Sequence, residues 1–319
     1  MISWARSSTH HCQASILSTI NRAITAYRGD IPNIEFVLNL KDGPSGDNQW
    51  ALTREEGVDR TTWIISDHGW WSWPVPLLGE YSAIRKQIAK QEPSWEDKKP
   101  LAAWRGVENL APIREDLVKA AKDKEWSDIR SMTWAGNGGS GGAENKDDAL
   151  TALDHCNYKF LVYTEGTLAK CQLNIRGLTK LSGATYSGRF KYLHSCNSVI
   201  ITHKLKWAEF HEPLMKYDGP DQNIVRVERD WSDLDSTMKW LLKNPDIAQR
   251  IAANSAKTFR DRYLTPAAQA CYTRRMIKVW SELQGFEPEL WQFKEDINGH
   301  EVWKVRGTPF ETWLIEPMV

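Results

Sequence analysis

The sequence predicts an α/β protein whose sheets are parallel and covered on both faces. Apolar runs at residues 101–104, 159–163, 198–202 and 224–227 alternate with amphipathic stretches, the pattern of strand and helix crossovers. Two further runs, at 34–40 and 63–65, lead into Lys41-Asp-Gly-Pro44 and Ser66-Asp67, as strands do when they feed turns. The chain has 319 residues, which suits two domains of roughly 100–200 residues each. A charged, proline-bracketed segment, Gln91-Glu-Pro-Ser-Trp-Glu-Asp-Lys-Lys-Pro100, marks a boundary between them.

In chain order, residues 13–27 form a helix with Ile16, Leu17, Ile20 and Ile24 on one side. The strands at 34–40 and 63–65 follow, then a helix over 79–90. Beyond the connector, a strand at 101–104 enters the Arg105-Gly106 turn, a helix covers 112–122, and a strand covers 129–134. The glycine-rich run at 136–148 lacks the residue order of a phosphate-binding P-loop, and Lys146 sits beside two acids. It reads as a flexible surface loop. A strand at 159–163, a short helix at 189–196 and strands at 198–202 and 224–227 come next. The helix over 232–243 turns Leu234, Met238, Leu241 and Leu242 inward, and a helical region from 245 past 262 resumes after Pro266 to about 283.

Acidic and basic side chains number 41 each, so nothing in the balance suggests a nucleic-acid groove or a polybasic membrane patch, and a neutral partner fits better. No stretch of 18 apolar residues exists, and the first twelve residues show no charged leader followed by an apolar region. The 17 tryptophans supply flat faces for a pyranose ring as well as bulk for a core. Cys12, Cys156, Cys171, Cys196 and Cys271 show no C-x-x-C and no zinc-like spacing with histidine, which argues against a structural metal. Their pattern leaves both disulfides and buried thiols open.

Candidate ligand chemistry concentrates in Tyr186-Ser-Gly-Arg-Phe-Lys-Tyr-Leu-His-Ser-Cys-Asn-Ser-Val199. Small Ser187 and Gly188 let the backbone approach an anion, Arg189 can pair two phosphate oxygens, and the helix that follows adds its positive end. Other segments extend the pattern: Phe36-Val-Leu-Asn-Leu-Lys-Asp-Gly-Pro44, Ser66-Asp-His-Gly-Trp-Trp-Ser-Trp-Pro74, Trp104-Arg-Gly106, Asp154-His-Cys-Asn-Tyr-Lys-Phe-Leu161, Tyr163-Thr-Glu-Gly166, Arg229-Asp-Trp-Ser-Asp-Leu234, and Tyr263-Leu-Thr-Pro266 with Cys271-Tyr272. In this order, over residues 30–283, the chain resembles glycosyltransferase family 90, which holds fungal capsule-associated xylosyltransferase-like proteins and animal protein O-glucosyltransferases.

The resemblance implies the GT-B architecture, two Rossmann-like units facing across a cleft. An acceptor-side unit would occupy residues 1–96, a nucleotide-sugar donor unit 97–285 and a tail 286–319. Family members usually begin with a signal peptide or membrane anchor, so a truncated first unit is expected. The implied activity is inverting, metal-independent transfer of xylose or glucose from a UDP-sugar to a hydroxyl of a glycan or glycoprotein. The implied setting is the ER or Golgi lumen or the cell exterior, where Cys156 and Cys196 would pair as a disulfide.

Such transfer needs a base for the acceptor proton and cations for the departing diphosphate. Asp67, at a strand end before an indole-rich segment, is the candidate base. Arg105, at the first strand and helix junction of the second unit, and Arg189 form the candidate diphosphate clamp in place of a metal. By the same resemblance Tyr186, Ser187 and Gly188 line the phosphate turn, Glu165 bonds a ribose or sugar hydroxyl, and Trp70, Trp71 and Trp73 receive the acceptor. Each has a plainer reading: an Asx turn for Asp67, ion pairs for the arginines, wall packing for the indoles.

Asp233-Leu-Asp235 has the form of a D-x-D metal motif, but it opens a helix after Ser232 and reads as capping. His68 and His155 lack ligand spacing, and His155 reads as structural. The segment 167–185 is longer than the link the resemblance leads one to expect, an insertion or a mistranslated intron, and it puts activity in question. Two other readings compete. One is a catalytically inactive sugar- or nucleotide-binding remnant; the other is a glycoside hydrolase, which needs a second carboxylate near Asp67 that the sequence does not show.

Overall fold

The computed structural model describes residues 10–40, 46–70, 80–132, 149–166 and 185–315. The architecture is mixed α/β with parallel sheets. The first is three-stranded, in the order β1 (Val37–Asn39), β2 (Gln49–Ala51), β4 (Trp63–Ile64). Its core is aromatic: Trp50 is fully buried and stacks on Phe36 at 4.0 Å. Trp280 meets the edges of Trp50 and Trp63.

The second sheet is five-stranded and all parallel. Its order is β10 (Val225–Val227), β8 (Val199–His203), β7 (Tyr158–Tyr163), β5 (Lys99–Gly106), β6 (Ser127–Ser131). The continuous apolar runs of β7 and β8 follow from burial on both faces. Taken by sequence from β5, the order is 2-1-3-4-5, the doubly wound pattern whose switch point lies between β5 and β7. There the connections leave toward opposite faces and open a crevice beyond the strand ends.

Helices α3 (Pro112–Ala121), α6 (Leu234–Lys243) and α7 (Pro245–Thr258) pack around this sheet, and α3 and α7 each begin with proline, whose missing N–H costs nothing in a first turn. A π-helical turn at Phe259–Tyr263 leads to α8 (Pro266–Leu283). That last helix returns to the first sheet and to α1 (His10–Thr25): Tyr272 Oη donates to Ile64 O at 2.6 Å, and Arg274 Nη1 to Ala23 O at 3.0 Å. A second tie is antiparallel pairing of β3 (Arg54–Glu55) with β9 (Trp207–Ala208). Residues 286–315, a tail in the sequence reading, include a hairpin of β11 (Trp291–Glu295) and β12 (Glu301–Val305), turning at Gly299 with φ +81°, and helix α9 (Phe310–Ile315). Among the described residues no helix is long and apolar enough to cross a membrane.

Candidate active site

The switch-point crevice gathers two arginines. Arg114, on the first turn of α3, is buried; its Nε donates to Glu165 O at 3.0 Å and its Nη1 to Val107 O at 3.1 Å. It therefore spans the chain just past β5 and just past β7. Gly166 makes room for it, since a Cβ there would lie 1.8 Å from Arg114 Nη2. Arg189 reaches the same place from the other side and donates to the carbonyl of Arg105. Among the described residues neither guanidinium is paired with a carboxylate. Burial pulls Arg114 down to about 9, with the Arg189 charge adding to the effect, and burial pulls Arg189 down to about 10. Two desolvated, mutually repelling cations at a switch point make a site for an anion with several oxygens.

His155 stands beside this pair. Burial lowers it to about 4, opposed by its bond to the Thr151 carbonyl and assisted by the charges of Arg189 and Arg105. The Arg105 side chain turns the other way. It donates to Trp104 O at 3.0 Å, to Asp128 O, and to Asp128 Oδ1 at 3.0 Å. Its guanidinium thus locks β5 to β6, and its carbonyl serves the crevice by holding Arg189.

The turn at 186–189 is fixed from behind. Ser187 N–H donates to Tyr163 Oη at 2.9 Å, and that hydroxyl donates to Glu209 Oε1 at 3.2 Å. Ser187 O accepts from Phe190 N at 3.1 Å, and Gly188 O from Lys191 Nζ at 2.7 Å. Tyr186 is 1% exposed and belongs to the aromatic core of the first sheet, with Trp50 and Trp207.

Asp67, just after β4 of the first sheet, is the anion of a buried ion pair. Lys191 Nζ lies 2.9 and 2.8 Å from its two oxygens, Gly69 N–H donates to Oδ1 at 2.8 Å, and both side chains are almost completely enclosed. An open base would present a free oxygen to an acceptor; here both oxygens are engaged. Glu209 is a second buried carboxylate in this neighbourhood, and no motif around it marks it in the sequence. Burial and the nearby Asp67 charge hold its carboxyl well above the ordinary value, with Lys191 and the Tyr163 hydroxyl opposing.

Glu165, expected on a ligand hydroxyl, is fully buried and committed to the chain. Its Oε1 accepts from Lys206 N at 2.6 Å and Trp207 N at 2.9 Å, and its Oε2 from Arg229 Nη2 at 2.8 Å. It anchors the strand β9, which pairs with β3. Trp70 is 5% exposed and packs against Tyr81 and Phe210. Trp71, Trp73, the run at 136–148 and most of the 167–185 segment lie outside the described residues. Gly166 and Thr185 form a direct antiparallel bridge, so the chain comes back to where it left the crevice. Cys156 and Cys196 form a disulfide, Cys12 is also disulfide-bonded, and Cys271 is free.

Asp233 and Asp235 serve different partners. Asp233 Oδ1 accepts from Glu228 N at 2.8 Å, so the side chain secures the loop before α6 and makes no bond to the helix's own N–H groups. Asp235 accepts from Trp126 Nε1 and Lys239.

A cleft of about 340 Å³ opens beside the first sheet. Arg54, Arg60 and Trp63 line it from the first sheet's side, Glu209, Phe210 and Glu212 from beyond β9, and Tyr272 from α8. Aromatic faces and planar hydrogen-bonding groups suit a sugar ring or a polar segment of chain.

A family model described as glycosyl transferase family 90 matches residues 6–307. Human protein O-glucosyltransferase 1 is 24% identical over 289 residues, covering 84% of this chain and 67% of that protein. The O-glucosyltransferase rumi of Drosophila pseudoobscura pseudoobscura is 23% identical over 286 residues, covering 81% and 62%. Mouse protein O-glucosyltransferase 3 is 25% identical over 297 residues, covering 86% and 51%. The chain spans between half and two thirds of the length of these relatives. With its motifs in family order and a family match along nearly its whole length, this chain belongs to glycosyl transferase family 90.

Proposed function

We propose that the chain is an inverting, metal-independent glycosyltransferase of GT-B arrangement that moves glucose or xylose from a UDP-sugar to a hydroxyl of a glycoprotein or glycan. The observation that carries this reading is the pair of guanidiniums at the switch point, Arg114 buried and Arg189 partly buried, with neither paired to a carboxylate among the described residues. A diphosphate supplies the missing negative charge, and its charge grows as the sugar departs, so the same pair favours the transition state over the ground state. Two fixed cations serve in place of a divalent metal. The cleft beside Trp63, Phe210 and Tyr272 takes the acceptor. The names of the relatives favour glucose and a protein hydroxyl. The disulfides suit an oxidising compartment such as the ER lumen.

The test is a donor screen with UDP-glucose, UDP-xylose and UDP-galactose, reading free UDP with and without EDTA. Turnover that EDTA leaves intact supports the proposal, and turnover abolished by EDTA removes the metal-independent part. A second reading, a nucleotide-binding remnant, draws on the buried Asp67–Lys191 pair, in which both oxygens of that acid already accept from the lysine. UDP binding without release of UDP from any donor would favour it.

A further inference from the structure

The geometry points to the Asp67–Lys191 pair as a positioning device that aims the phosphate turn, a role distinct from proton abstraction. Lys191 is 1% exposed, and among the described residues its ammonium has both oxygens of Asp67, and Gly188 O at 2.7 Å, at hydrogen-bond distance. The Asp67 end belongs to the chain just after β4 of the first sheet, and the Gly188 end to the turn before the helix that carries Lys191. One buried cation thus joins the end of β4 to the turn.

What that does to the turn follows from peptide geometry. The peptides here are trans, so a carbonyl and the next N–H point in opposite directions. Pinning Gly188 O onto Lys191 therefore directs the Arg189 N–H away from Lys191. Ser187 N–H is taken by Tyr163, whereas among the described residues no acceptor is bonded to the N–H of Gly188 or Arg189. These two donors, with the Arg189 side chain, are the groups the turn has left for an anion. Lys191 cannot bind that anion itself while it is spent on Asp67 and Gly188. It is a positioning residue, and Asp67 is its anchor.

This inference rests on the glycosyltransferase reading and deepens it. Single substitutions leave a lone buried charge and threaten the fold, so the informative variant is Asp67→Asn combined with Lys191→Met, which removes both charges together. UDP binding by calorimetry and steady-state kinetics are measured on this variant, on Asp67→Asn alone and on the wild type. The expected result is a folded double variant whose Kd for UDP and KM for the donor rise about tenfold or more, as for one misdirected charge-assisted hydrogen bond, with the acceptor KM unchanged. An unchanged UDP Kd in the double variant overturns the positioning role. So does Asp67→Asn with kcat lost a thousandfold and UDP binding intact, the signature of a base. Absence of UDP binding by the wild type overturns the glycosyltransferase reading as well.

Discussion

Arg114 bridges the two strand ends at the switch point: its Nε bonds the carbonyl of Glu165, beyond β7, while its Nη1 bonds that of Val107, beyond β5. Carbonyl dipoles solvate a buried guanidinium without neutralising it. The positive charge therefore remains available to a ligand, and Arg189 doubles it.

Gly166 sets the place of that guanidinium. Because a Cβ at 166 would overlap Nη2 and lie 2.7 Å from Cζ of Arg114, Gly166→Ala must push the side chain off both carbonyls. The expected cost is about 1–3 kcal/mol of stability, from buried groups left unpaired, together with weaker UDP binding. Urea unfolding and calorimetry on the variant check both. Wild-type stability and affinity would show that Arg114 is not held as described.

His211 is buried with no hydrogen-bond partner on either ring nitrogen among the described residues, and burial lowers it to about 3, with the Lys191 charge assisting and Asp67 opposing. Its folded value lies below its unfolded one, so its contribution is fully present above about pH 6.5 and is lost as pH falls toward 3. Glu209, shifted upward, titrates in the opposite sense, so the informative quantity is a difference between proteins. His211→Leu is expected to gain about 1–2 kcal/mol relative to wild type on going from pH 7 to pH 5. Denaturant midpoints at the two pH values measure it; a pH-independent difference would place a charged imidazole in the core.

The Cys156–Cys196 disulfide joins the end of the short helix Ala152–His155 to the end of the helix carrying Lys191, across 40 residues of sequence. A loop of that size gives about 4 kcal/mol by the chain-entropy relation. Replacing both cysteines by alanine should lower unfolding free energy by roughly that amount, read from equilibrium unfolding; a loss under about 1 kcal/mol would contradict the estimate.

The strands at the centre of the second sheet were legible because burial on both faces writes them as continuous apolar runs, as in Phe160-Leu-Val162 and Val199-Ile-Ile201. Strand β2 was not, since three residues, Gln49-Trp-Ala51, carry no period. The C-terminal hairpin has a signal that was there to read: Trp291, Phe293, Trp303 and Val305 alternate with polar residues around Asn298-Gly299. At the site, Ser187-Gly-Arg189 was visible as a turn with a cation. Arg114, Lys191 and Glu209 were not, because an arginine on an amphipathic helix and a lysine in a short one look like ordinary surface charge. Their meaning comes from strand order and from partners 51, 124 and 46 residues away.

The account stands most directly on UDP binding measured by calorimetry in wild type, Arg114→Met and Arg189→Ala, each verified as folded. It predicts measurable binding by the wild type, weakened at least tenfold in each variant, because each guanidinium makes charge-assisted bonds to the diphosphate. Equal affinity in all three proteins would contradict it, for the paired cations at the switch point would then have no ligand to hold.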